Sequence, residues 1–74
     1  MTSAEQDAKF QTAVELAEAY IRHCVPRLSL KDAILQLSGS VEACDKLIEQ
    51  NGGSYDLALK QAALQKAKIE LGMI

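Results

Sequence analysis

The chain holds only two cysteines, Cys24 and Cys44, too few for the disulfide framework that holds many small secreted domains together. It also lacks any Cys-x-x-Cys spacing, so the two thiols and the lone histidine, His23, fall one donor short of a structural zinc set. Both cysteines are expected as reduced, small core residues. A His23–Cys24 nucleophile is disfavoured by helix geometry: neighbours in sequence point about 100° apart, so the imidazole does not reach the adjacent sulfur. Only Cys44, brought close by folding, offers His23 a thiol partner.

Long apolar runs are missing as well. No stretch approaches the roughly 20 residues that a bilayer crossing needs. Residues 1–10 are polar and carry no basic-then-apolar leader, which makes the cytosol the expected location. An excess of basic residues is also lacking, since 8 Lys and Arg stand against 10 Asp and Glu for a net charge of −2. A broad nucleic-acid footprint needs clustered cations to neutralise phosphates, and this balance argues against one. Gly52-Gly53 has no strand before it and no Gly-Lys-Ser after it, so it reads as a helix C-cap, not a phosphate cradle. Glu15 and Glu18 lie one turn apart with nothing apolar or basic to mark them as an acid–base pair, and are expected on a solvated face. No catalytic, cofactor-binding or metal-binding constellation is read, and no enzymatic activity is expected.

What is present is helical pattern. Over 74 residues, 49% of them hydrophobic, much of the apolar content is alanine at helical spacing, which argues for one folded domain spanning residues 1–74. A domain this short buries only ~60% of the surface that its unfolded chain exposes, so packing between helices, oligomerisation or a partner is expected to add stability. Ser3 followed by Gln6 fits a capping box for a first helix starting at about Ala4. Phe10, Ala13, Val14, Ala17, Tyr20, Ile21 and Cys24 then share one face, with Glu5–Lys9 and Glu18–Arg22 pairs on the other. Pro26, the only proline, ends that run near Cys24.

Ser29 caps a short second helix striped by Leu30, Ala33, Ile34 and Leu37, with Asp32 at its third position. Ser38-Gly39-Ser40 stops it and starts a third, striped by Val41, Cys44, Leu47 and Ile48. After Asn51-Gly52-Gly53, Ser54 caps a last helix that runs to about Leu71-Gly72, with Asp56 in its first turn. No segment alternates with period two, so the fold class expected is all-α, a small four-helix domain with three short helices and a longer terminal one. Ile34 to Cys44 echoes in Ile48 to Ala58 as a helix end, a glycine, a serine cap, a hydrophobe and an acid, a pattern that shared capping chemistry accounts for.

Val25-Pro26-Arg27, Ala33-Ile34, Gly39-Ser40-Val41-Glu42-Ala43-Cys44 and Leu47-Ile48 resemble the ubiquitin-associated (UBA) domain, a unit of three short helices. The resemblance covers roughly residues 17–50 and implies a protein-binding surface at the loop Val25, Pro26 and at the helix end Leu47, Ile48. The family's Met-Gly-Phe loop reads His23-Cys24-Val25 here, without the aromatic that helps contact ubiquitin. A second frame is similar to the N-terminal domain of the elongation factor Ts family, a relative of that fold which docks on elongation factor Tu. It runs through Ser29-Leu30, Ile34, Ser38-Gly39, Cys44, Lys46, Ile48 and Gly53-Ser54-Tyr55-Asp56-Leu57-Ala58-Leu59, with a shift of one residue near Gly39.

The last helix has two apolar faces: Tyr55, Ala58, Leu59, Ala62 and Ile69 on one, and Leu57, Leu64 and Leu71 nearly opposite. The first suits a core, and the leucine stripe is expected either to meet a partner helix or a second copy of the chain, or to be covered by the first helix. The function expected is therefore a protein–protein interaction module without catalysis, self-associating or docking on a partner through Leu57, Leu64, Leu71, Val25, Pro26, Leu47 and Ile48. The alternative is a DNA-binding regulator. Asp45-Lys46-Leu47-Ile48-Glu49, Gly52-Gly53 and Leu57-Ala58 resemble the opening helices of small phage-type repressors, with Arg22, Arg27, Lys31 and Lys46 as a small basic patch. In that family's pattern the turn glycine falls at Ala62 and a core hydrophobe at Lys68.

Overall fold

A computed structural model describes residues 3–74. The elements are α1 (Ser3–Cys24), α2 (Leu30–Ser38), α3 (Val41–Gln50) and α4 (Tyr55–Glu70), with no strand among the described residues. Among the described residues no helix is long and apolar enough to cross a membrane. The starts of α2, α3 and α4 follow the expected capping chemistry. Ser29, Ser40 and Ser54 each sit in extended backbone and accept through Oγ from the N–H three residues on, at 3.2, 3.1 and 3.3 Å. Each bond satisfies one of the amides that the first turn of a helix leaves without a partner. α1 begins one residue before the expected Ala4, with Ser3 already helical.

The helix ends differ in ways the sequence echo hides. α2 closes on one left-handed glycine, Gly39 at φ 89°, whose N–H reaches Leu35 O at 3.0 Å, and Ser40 starts the next helix at once. α3 closes on a Schellman pair in which Gly53 N–H meets Ile48 O at 2.8 Å and Gly52 N–H meets Glu49 O at 3.1 Å. Asn51 Nδ2 also donates to Leu47 O at 2.7 Å and to Gln61 Oε1 at 3.2 Å, which ties the end of α3 to α4.

α4 is the element that all the others meet. α1, α2 and α3 each pack against it, α2 also packs against α3, and α1 and α3 share no comparable interface. Its buried residues are Ala58, Leu59, Ala62, Ala63 and Ala67. They face Ala13, Ala17 and Cys24 from α1, Ala33, Ile34 and Leu37 from α2, and Cys44 from α3. Alanine carries nothing beyond Cβ, so helix axes can close toward the short end of the usual range of about 8–10 Å. Each methyl buried removes little apolar area, so the gain comes from close dispersion contact along the whole length of the helix.

Several expected burials are corrected by this arrangement. Three helices cover α4 where a two-sided reading foresees one core face; α1 lies beside Leu64, and Leu64 and Leu71 are both half-buried against the core. The expected leucine stripe is thus broken, and Leu57 alone of the three is exposed, at 51%. Tyr55 and Ile69, expected inside, are 41% and 57% exposed, because the buried arc of α4 is turned toward Ala63 and Ala67. Phe10 is 46% exposed because α1 outruns the core: every residue from 3 to 12 is exposed, and Ala13 is the first one buried. Val41, in the first turn of α3, is exposed as well.

A core of alanines tolerates enlargement poorly, since an added side chain has no void to enter. Ala63→Leu is expected to cost about 2 kcal/mol by overpacking, whereas Ala8→Leu on the exposed part of α1 leaves stability nearly unchanged. Urea unfolding followed by circular dichroism compares the two directly.

Candidate functional site

An open groove of about 600 Å³ lies between α3 and the second half of α4, lined also by Leu37 and Ser38 of α2. Leu37, Ala43, Leu47, Ala62 and Ile69 supply its apolar surface. Ala43 and Ala62 put only a methyl each into the space between the helices, which leaves it open. Asn51 at the end of α3 bonds to Gln61 of α4, so α3 runs beside the second half of α4, and Ile69 lines the groove together with Ala43. Face assignment on a wheel alone puts Ile69 in the core.

The charged rim is Lys46 on α3 and Lys66 and Glu70 on α4, with Gln50 and Gln65 between them. Glu70 is already engaged, because its Oε2 accepts a hydrogen bond from the Tyr20 hydroxyl of α1. Lys66 Nζ lies 5.6 Å from the centre of the Tyr20 ring, a cation–π distance. The groove therefore presents two cationic side chains on opposite walls and one carboxylate already occupied by a phenol. The bond to Glu70, then burial and the negative charge of that carboxylate, push the Tyr20 phenol from 10.0 up to about 12.

The sequence-expected site residues do not converge. Leu47 lines the groove, and Ile48 beside it is half-buried against the core. Leu64 lines a smaller depression of about 300 Å³ between α1 and α4, with Val14, Ile21 and Lys60. Leu71 packs on the core, and Leu57 is open to solvent outside both depressions. In the α1–α2 link Val25 is half-buried against the core and Pro26 is exposed, and neither lines the groove.

Chemistry-bearing residues are dispersed. His23 is exposed, whereas Cys24 and Cys44 are free thiols, each only 2% accessible. Burial, reinforced by the charge of Asp45, pushes the Cys44 thiol up, and Lys31 opposes that effect only partly. Among the described residues no three His, Cys, Asp or Glu side chains are placed to hold a metal ion. Arg22, Arg27, Lys31 and Lys46 are exposed but belong to α1, the following link, α2 and α3. α4 runs unbroken through the buried Ala62, where the repressor pattern turns. No family model, curated protein or solved structure gives a significant match to the chain.

Two outcomes follow. In a Tyr55→Phe variant, where Tyr20 is the sole tyrosine, the ultraviolet absorbance titration should have its midpoint near 12, and adding Glu70→Gln should return it toward 10.0. The protonated phenol is the form that donates to Glu70, so its contribution to stability is whole below pH 10.0 and is lost as pH rises through about 12. Ellman's reagent is expected to label neither Cys24 nor Cys44 in the native protein and both after unfolding in urea.

Proposed function

We propose that the chain is a helical protein-interaction module without catalytic activity of its own, and that it docks a helical segment in the groove between α3 and α4. The observation that carries this reading is the coincidence, in one open groove, of an apolar lining, with Ile69 exposed and Leu47 half-buried, and an unequal charged rim. Ile69 and Leu47 stand beside Lys46 and Lys66. An amphipathic helix is the ligand that such a groove suits, since it lays an apolar stripe on the floor and leaves its polar face to the rim and to water.

A protein-docking role also accords with the resemblance to the elongation factor Ts family. That frame spans α2, α3 and the first turns of α4, three helices that do pack on one another. The frame similar to ubiquitin-associated domains takes in the end of α1, α2 and α3, of which α1 and α3 share no packed interface. The former is the one we carry forward, and it moves the weight of the site from Val25 and Pro26 to Leu47 and the second half of α4.

Wild type, Leu47→Asp and Ile69→Asp, immobilised as baits in lysate of the source organism, test the reading. A partner held by the wild type and released by both variants is the outcome expected, with each variant retaining its helical circular dichroism. Equal retention by all three baits would place docking elsewhere on the molecule.

A further inference from the structure

The charges that line the α3/α4 groove are few and uneven: Lys46 on one wall, and Lys66 and Glu70 on the other. Two cations against one carboxylate leave the lining at a net +1 on a chain whose net charge is −2. Glu70 already accepts from the Tyr20 hydroxyl, and Lys66 lies over the Tyr20 ring. Among the described residues neither Lys46 nor Lys66 forms an ion pair. Glu42, Asp45 and Glu49 of α3 stand on the adjoining face of that helix, and none of them lines the groove. The groove is therefore a cationic recess on an anionic protein.

The lining also sets the length of what it holds. It runs from Ala43 to Gln50 on α3 and from Ala62 to Glu70 on α4, about 10 and 12 Å of helix, or two turns on each wall. A ligand helix of two to three turns spans that distance and presents its apolar residues to Leu47 and Ile69 at intervals of three and four. Lys46 and Lys66 stand on opposite walls, so they flank such a stripe on both sides. A carboxylate on either flank meets an ammonium that has no ion-pair partner, whereas a cation there meets its own sign. Over the rest of this anionic chain an acidic ligand is repelled, so charge both directs it to the groove and selects it over a basic one.

We propose that the occupant of the groove is an acidic amphipathic helix of another protein, two to three turns long, with its apolar stripe against Leu47 and Ile69 and a carboxylate on each flank facing Lys46 and Lys66. The inference rests on the docking reading of that groove and adds the charge and the length of the ligand. Leu47 and Ile69 supply the contact, and the two lysines choose its sign.

A phage-displayed library of amphipathic helices tests it, with an apolar stripe of Leu, Ile, Met or Phe and with Glu, Gln or Lys at the positions on either side. Those three residues have similar helix propensity, so a bias among them reports the groove and not the folding of the ligand. Selection on the immobilised wild type is expected to enrich Glu several-fold over Lys on both flanks. The selected helices should lose binding to Leu47→Asp and to Ile69→Asp. Selection on a Lys46→Gln, Lys66→Gln double variant should lose the Glu bias, each bait being checked for an unchanged helical spectrum. Helices that need Leu47 and Ile69 yet carry Glu no more often than Lys, or a bias that the double variant keeps, overturn the acidic ligand and leave docking in the groove standing. A selection without binders, or binders indifferent to Leu47→Asp and Ile69→Asp, removes the docking reading and this inference with it.

Discussion

Ala58, Ala62, Ala63 and Ala67 bring α4 into close contact with its neighbours, and the rest of the molecule depends on that closeness. A single helix surrounded by three others needs a slim cross-section, and side chains of one carbon provide it. The larger residues, Ile34 and Leu37 of α2 and Leu59 of α4, then fill the spaces between the helices at the centre. With so little area buried per residue, the domain relies on tight contact over many positions and has little margin where contact fails.

The same construction makes the groove. Ala43 and Ala62, small residues of the kind that serve close packing elsewhere, leave space between α3 and α4 beside Ile69. The tie from Tyr20 to Glu70 fixes the end of that groove by joining α1 to the last turn of α4, and it takes up the carboxylate that would otherwise balance the lysines. A surface that is apolar below and cationic at its edges thus arises from small residues between two helices and one cross-helix hydrogen bond. The exposed first half of α1 goes with a difference of lengths, since 22 residues of helix lie beside 16.

Much of the local structure was legible in residue spacing. Ser29, Ser40 and Ser54 cap the helices that they were expected to cap, Gly39 and Gly52-Gly53 end them, and the stripe Ala33, Ile34, Leu37 is buried. These are events within a few residues of chain, governed by the orphan amides and carbonyls of helix ends. The candidate site was less legible. Leu64 and Leu71 on one side of α4 and Ile69 on the other are all apolar, and a wheel cannot say which of them a neighbouring helix will cover.

By itself, then, the sequence determined the class of the fold, the four helices and nearly all their ends, because capping and periodicity are short-range and each helix answers to its own residues. Which apolar side chains stay open was decided only by tertiary structure. That outcome depends on where α1 crosses α4 and on how α3 lies along α4, which are relations between elements and not within one. Leu57 and Leu64 share one stripe in sequence, yet Leu57 is exposed and Leu64 half-buried, because α1 passes over the latter.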